Sequence, residues 1–134
     1  MSRAFSIASV LWPLLLASCT ELATCENTGV QRLTSPDGEL DVVAFERDCG
    51  ATTDRSYHVS VLPAGDSLSD EGGNTFVASR PENRTTLVQR PLIGWIGDSV
   101  QIFYVAPREV YKREERVAGR AVAYDTGNGY DIVR

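Results

Sequence analysis

The sequence predicts a mainly β domain, a small antiparallel sheet or open sandwich of about six to eight strands. Three observations carry this. Short runs rich in Val, Ile, Phe and Tyr recur along the chain, and clusters of Gly, Pro, Asp and Asn separate them. At 57–62 the alternation is clean, with Tyr57, Val59 and Val61 on one face and His58 and Ser60 on the other.

Taken in order, Ser35-Pro36-Asp37-Gly38 is a turn, because Pro presets φ at its second position and Asp and Gly follow. Residues 40–47 form a strand with apolar residues on both faces, which places it centrally. Strand 57–62 follows, then a glycine- and acid-rich loop over 64–74 and a short strand over 75–79. Residues 81–84 turn the chain into strands 86–89 and 92–96, separated by Pro91, which demotes that junction to an edge or bend. Gly97-Asp98-Ser99 leads into strand 100–105. Residues 107–118 fit either a short helix, with Pro107 in its first turn and Gly119 as its stop, or one arm of a hairpin pairing 109–112 with 120–124. The hairpin is favoured because Ala121-Val122-Ala123-Tyr124 reads as a strand and needs a partner. Thr126-Gly127-Asn128-Gly129 is a turn before a last strand over 130–133.

Length and charge narrow the function. The 134 residues suffice for one small domain, and a net charge of −5 argues against non-specific nucleic-acid binding, which needs a basic footprint. One His and three Cys leave little for a zinc site, and no metal or other cofactor is expected.

Met-Ser-Arg opens the chain, and an apolar run follows to Ala17, too short to span a membrane and of the right length for a secretory signal. Leu16-Ala17-Ser18-Cys19 closes it and resembles the lipobox of bacterial lipoproteins. That resemblance implies removal of residues 1–18, a diacylglyceryl group on Cys19 and a membrane partner held by the lipid. Thr20 follows the Cys rather than an Asp, which points to the outer membrane, facing the periplasm. Removal of Arg3 with the signal takes the charge from −5 to −6. Residues 19–34, polar with few large apolar side chains, read as a tether, and 35–134 as a single β-rich domain.

With Cys19 lipidated, Cys25 and Cys49 remain, an even number in an oxidising compartment. A bridge between them would close a loop of about 25 residues, and the alternative is two buried thiols. Residues 35–53 include Ser-Pro-Asp-Gly and Phe-Glu-Arg-Asp-Cys-Gly-Ala-Thr-Thr, which resembles a family of small bacterial lipoproteins carrying both stretches. The likeness extends to Cys25-Glu26-Asn27 and to 57–63; it implies a secreted domain and the Cys25–Cys49 bridge, and it supplies no reaction.

Arg47, Asp48, Thr52, Thr53 and Asp54 form the densest polar cluster, a candidate binding loop for a small polar ligand or glycan end. The structural alternative is a disulfide-tied connection with Thr and Asp capping backbone groups. No catalytic set is selected. His58 lacks an identifiable nucleophile elbow, and the acidic pairs (Asp37/Glu39/Asp41, Asp70/Glu71, Glu114/Glu115) read as solvated turns. Asp125-Thr126-Gly127-Asn128-Gly129 lacks the carboxylates of a calcium loop. The expected function is a non-enzymatic, lipid-anchored envelope module that binds a protein or polymer. A small-ligand or stress-sensing module using the Arg47–Asp54 loop is the second reading, and a small hydrolase the third.

Overall fold

A computed structural model describes residues 24–50, 52–81, 90–105 and 107–126. The expected lipidation at Cys19 and the strands at 86–89 and 130–133 lie outside these residues. The described chain is all β, with nine strands and no helix: β1 (Glu26–Thr34), β2 (Leu40–Asp48), β3 (Ser56–Pro63), β4 (Phe76–Ser79), β5 (Leu92–Ile96), β6 (Ser99–Phe103), β7 (Val110–Arg113), β8 (Arg116–Val117) and β9 (Arg120–Asp125). They form a five-stranded sheet, β1-β2-β3-β4-β7, and a four-stranded sheet, β5-β6-β9-β8. Val42, Ala44, Val59, Val61, Phe76 and Ala78 of the first sheet pack on Ile93, Val100, Ile102 and Val122 of the second, giving one sandwich core.

Three expectations are corrected. Residues 26–34 are not tether: β1 is an edge strand, paired with β2 from Glu26↔Asp48 to Thr34↔Asp41 with a bulge between Thr28 and Gln31. An edge strand draws its stability from backbone bonds and one partner, so its polar, exposed side chains carry no apolar signal. The pairing of 109–112 with 120–124 does not form. β7 pairs with β4 in the first sheet, and β8 pairs with β9 in the second, around Ala118 and Gly119 with φ of 48° and 75°. Two consecutive positive φ values give the twist that a two-residue hairpin needs. The second sheet is also mixed, because β6 and β9 run parallel, Val100 opposite Val122.

The β1–β2 connection is built by the Ser-Pro-Asp-Gly turn. Gly38 N–H donates to Ser35 O at 2.9 Å, and Gly38 itself has a φ of 76°. Ser35 Oγ donates to Asp37 Oδ1 at 2.6 Å and accepts from Leu40 N–H at 3.0 Å. Arg120 of β9 reaches across to Asp37 and Glu39, so the turn also ties the two sheets.

Both faces of β2 and β3 are buried, which explains their apolar character on both sides. One face looks into the sandwich, and the 64–75 connection straps the other. Side chains of the sheet hold the strap by its carbonyls: Arg32 donates to Asp66 O at 2.8 Å, Asn27 to Ser69 O at 3.1 Å, Arg47 to Glu71 O at 3.2 Å and Lys112 to Gly73 O at 3.1 Å. Asp41, 2% exposed, accepts from Arg32, Thr34 Oγ1 and Gly65 N–H at 2.6, 2.6 and 3.0 Å. These bonds, the Gly65 amide foremost, hold its carboxyl at a pKa of about 2.

Gly73 is where the strap comes closest. A Cβ there would sit 2.7 Å from Val59 O and 2.8 Å from Phe76 O, both backbone atoms that cannot swing aside. Gly73→Ala should therefore destabilise the domain by about 2 kcal/mol in urea denaturation. A loss below half that would mean that the strap lifts freely off the sheet.

Candidate functional site

In the antiparallel sheet, the start of β1, the end of β2, the start of β3, the end of β4 and the start of β7 lie at one end. The disulfide sits there, joining Cys25 to Cys49 with sulfurs 2.02 Å apart, one residue beyond the Glu26↔Asp48 pair. Beside it is an open groove of about 610 Å³. Its cationic lining is Arg47, Arg55, Arg80 and Arg108; Ser56 and Tyr111 add a hydroxyl and an aromatic face, and Asp54 and Glu109 are its acids.

The candidate loop is only partly a binding surface. Arg47, Thr53 and Asp54 line the groove. Asp48 does not; it accepts from Gly50 N–H at 3.0 Å and Arg55 Nε at 2.9 Å, and these bonds hold its carboxyl below the usual range. Thr53 closes a turn, its N–H donating to Gly50 O at 3.2 Å and its hydroxyl to the same oxygen at 3.3 Å. Thr52 is exposed outside the lining. Arg55 is held between Asp48 and Glu46, whose Oε1 lies 3.1 Å away. Of the loop's charges, Arg47 is the one whose bonds go to neutral acceptors, Asn27 Oδ1 at 2.9 Å and Glu71 O.

The other half of the groove was not legible. Arg80, Pro81, Arg108, Glu109 and Tyr111 arrive from β4 and β7, and an isolated bridge between Pro81 and Pro107 brings the two segments together. Each residue alone reads as solvated surface. Arg80 and Arg108 each sit next to a proline, but so does Arg90, which does not line the groove, so this sign does not single them out.

His58 stands directly behind the groove. It is 6% exposed and stacks on Phe45 with ring centroids 5.3 Å apart. Gly73 N–H donates to its Nδ1 at 2.8 Å, so Nδ1 is unprotonated and the ring proton sits on Nε2. Ser56 Oγ lies 2.7 Å from Nε2 and accepts that proton. A general base needs the opposite arrangement, with Nε2 accepting from the hydroxyl. The pair is therefore a positioning device: it leaves the Ser56 hydroxyl with its own proton to donate.

Burial lowers the His58 pKa from 6.5 to about 4, and the charges of Arg47 and Lys112 push the same way. Between those values the unfolded chain binds a proton that the folded one refuses. Stability from this site is thus complete above pH 6.5, falls as pH drops towards 4 and then levels, a change of about 2 kcal/mol allowing for solvent screening. Below it, Asp37 and Asp41, both held at about 2, lose their contribution as pH falls from 4 towards 2. Urea midpoints at pH 7 and pH 4.5 should differ for the wild type and converge for His58→Gln; equal shifts in both would remove His58 as the cause.

Among the described residues no cluster of three His, Cys, Asp or Glu side chains is placed to hold a metal ion, and no helix is long and apolar enough to cross a membrane. Comparison with known protein families, characterised proteins and solved structures gives no match.

Proposed function

We propose that the chain is a lipid-anchored module of the bacterial cell envelope that binds an envelope component, without catalysing a reaction, through the groove beside the Arg47–Asp54 loop. The observation that supports it best is the groove itself, which gathers four arginines in a chain of net charge −5. Its size lies within the range of ligand sites, roughly 300–1,000 Å³. The signal segment and Leu16-Ala17-Ser18-Cys19 support the anchor and a location on the outer membrane facing the periplasm.

Two measurements test this reading. The intact mass of the expressed precursor's product should match residues 19–134 plus acyl groups; an unprocessed chain removes the anchor. A photocrosslinking residue replacing exposed Tyr111 should capture an envelope component in living cells, and the same residue replacing Asp98, at the other end of the sheets, should not. Equal capture from both positions would remove the groove as the binding surface.

A further inference from the structure

We propose that the groove takes the phosphate of an anionic phospholipid headgroup, supplied by the membrane that holds the Cys19 lipid. The inference rests on the anchor reading above and extends it to the ligand. Its first support is position. Five residues separate Cys19 from Cys25, and the disulfide fixes Cys25 to Cys49, which itself lines the groove. Six extended steps reach about 20 Å, so the groove end of the sandwich is held within roughly that distance of the headgroups. The Asp37 and Asp98 turns stand at the far end.

The second support is the donor set. The Arg80 guanidinium makes no hydrogen bond or ion pair among the described residues, and Arg47 is not neutralised by a carboxylate but bonds to Asn27 Oδ1 and Glu71 O. The Ser56 hydroxyl donates because His58 Nε2–H occupies its acceptor side, and His58 is in turn fixed by Gly73 N–H from the strap. Arginines and a hydroxyl lining one groove suit the two non-bridging oxygens of a phosphodiester, which accept and cannot donate. Asp54 lies 3.8 Å from Arg108 with its side chain 91% exposed, so a phosphate can displace it into solvent.

The third is the overall field. A mature chain of −6 is repelled by an anionic surface, and Glu26 and Asp70, in the hollow on the other side of the disulfide, add to that repulsion. Close approach then favours the orientation that turns the arginine groove to the lipid and the acidic side away.

The test uses the lipidated mature chain, its acylation first verified by mass, in phosphatidylcholine vesicles with and without phosphatidylglycerol. Hydrogen exchange is followed at 52–57, 79–80 and 108–111. Phosphatidylglycerol should slow exchange there, and Arg80→Gln should reduce that protection about fivefold, the effect of one arginine near an anionic surface. Arg116→Gln, remote from the groove, should leave it unchanged. Equal exchange in both vesicle types overturns the headgroup assignment with the anchor intact, whereas absence of acyl groups overturns the anchor. Equal protection by inorganic phosphate in neutral detergent micelles assigns the groove to free phosphate and overturns the membrane source.

Discussion

Phe76→Ala should lower the unfolding free energy by about 4 kcal/mol, the upper part of the range for a fully buried aromatic. Phe76 is 0% exposed and lies where the two sheets meet. Its ring contacts Tyr104 at 4.7 Å and Tyr124 at 5.8 Å between centroids, and those two rings meet edge to face at 6.3 Å. Arg113 closes the cluster from outside, its guanidinium carbon 4.1 Å from the centre of the Tyr124 ring. Removing the central ring leaves a cavity between the two sheets, bordered by the Tyr104 and Tyr124 rings, so little of it can collapse. Against a typical stability of 5–15 kcal/mol, the variant should be close to unfolding at physiological temperature. Ile96→Ala is the control; Ile96 is 69% exposed at the β5–β6 turn, and its loss should change stability by less than about 0.5 kcal/mol. Urea titration followed by circular dichroism checks both. A Phe76→Ala cost near 1 kcal/mol would show that the sheets do not depend on this ring for their contact.

Strands β2, β3, β5 and β6 were legible because each carries enough Val, Ile, Phe and Tyr to specify an extended, buried run. The Ser-Pro-Asp-Gly turn was legible because its conformational demands are local. β1 was not, since Glu26–Thr34 is exposed almost throughout and its pairing depends on backbone bonds and the bulge around Gly29. Which strands join which sheet of the sandwich was hidden as well. Glu114 and Glu115 carry the chain across, through backbone bonds from Glu114 N–H to Thr75 O and from Val122 N–H to Glu115 O, and neither bond leaves a trace in hydrophobic pattern. For the groove, Arg47, Thr53 and Asp54 were visible as one dense segment. Arg80, Arg108 and Tyr111 become neighbours of that segment only when β4 pairs with β7, a contact set by tertiary packing.

Reducing the Cys25–Cys49 bridge should cost about 3.5 kcal/mol, from the loop-closure entropy that the cross-link removes from the unfolded chain. The bridge spans 24 positions of sequence and closes the open end of the β1–β2 hairpin, whose other end is the Ser-Pro-Asp-Gly turn. Without it, β1 is an edge strand held by one neighbour, and its first residues, Glu26 to Thr28, precede the bulge and should fray first. Fraying there has a specific consequence. Asn27 binds both Arg47 and the strap at Ser69, so the groove arginine and the cover over His58 loosen together. The doubly substituted Cys25→Ser/Cys49→Ser chain should therefore show a lower urea midpoint and faster exchange at 26–28 and 69–73, with β5 and β6 protected until global unfolding. Reductant should reproduce the shift in the wild type and leave the variant unaffected. A midpoint unchanged by reduction would mean that the hairpin holds without the bridge. Uniform loss of protection across both sheets would mean instead that the sandwich opens as one unit, and that the groove has no independent motion for the disulfide to restrain.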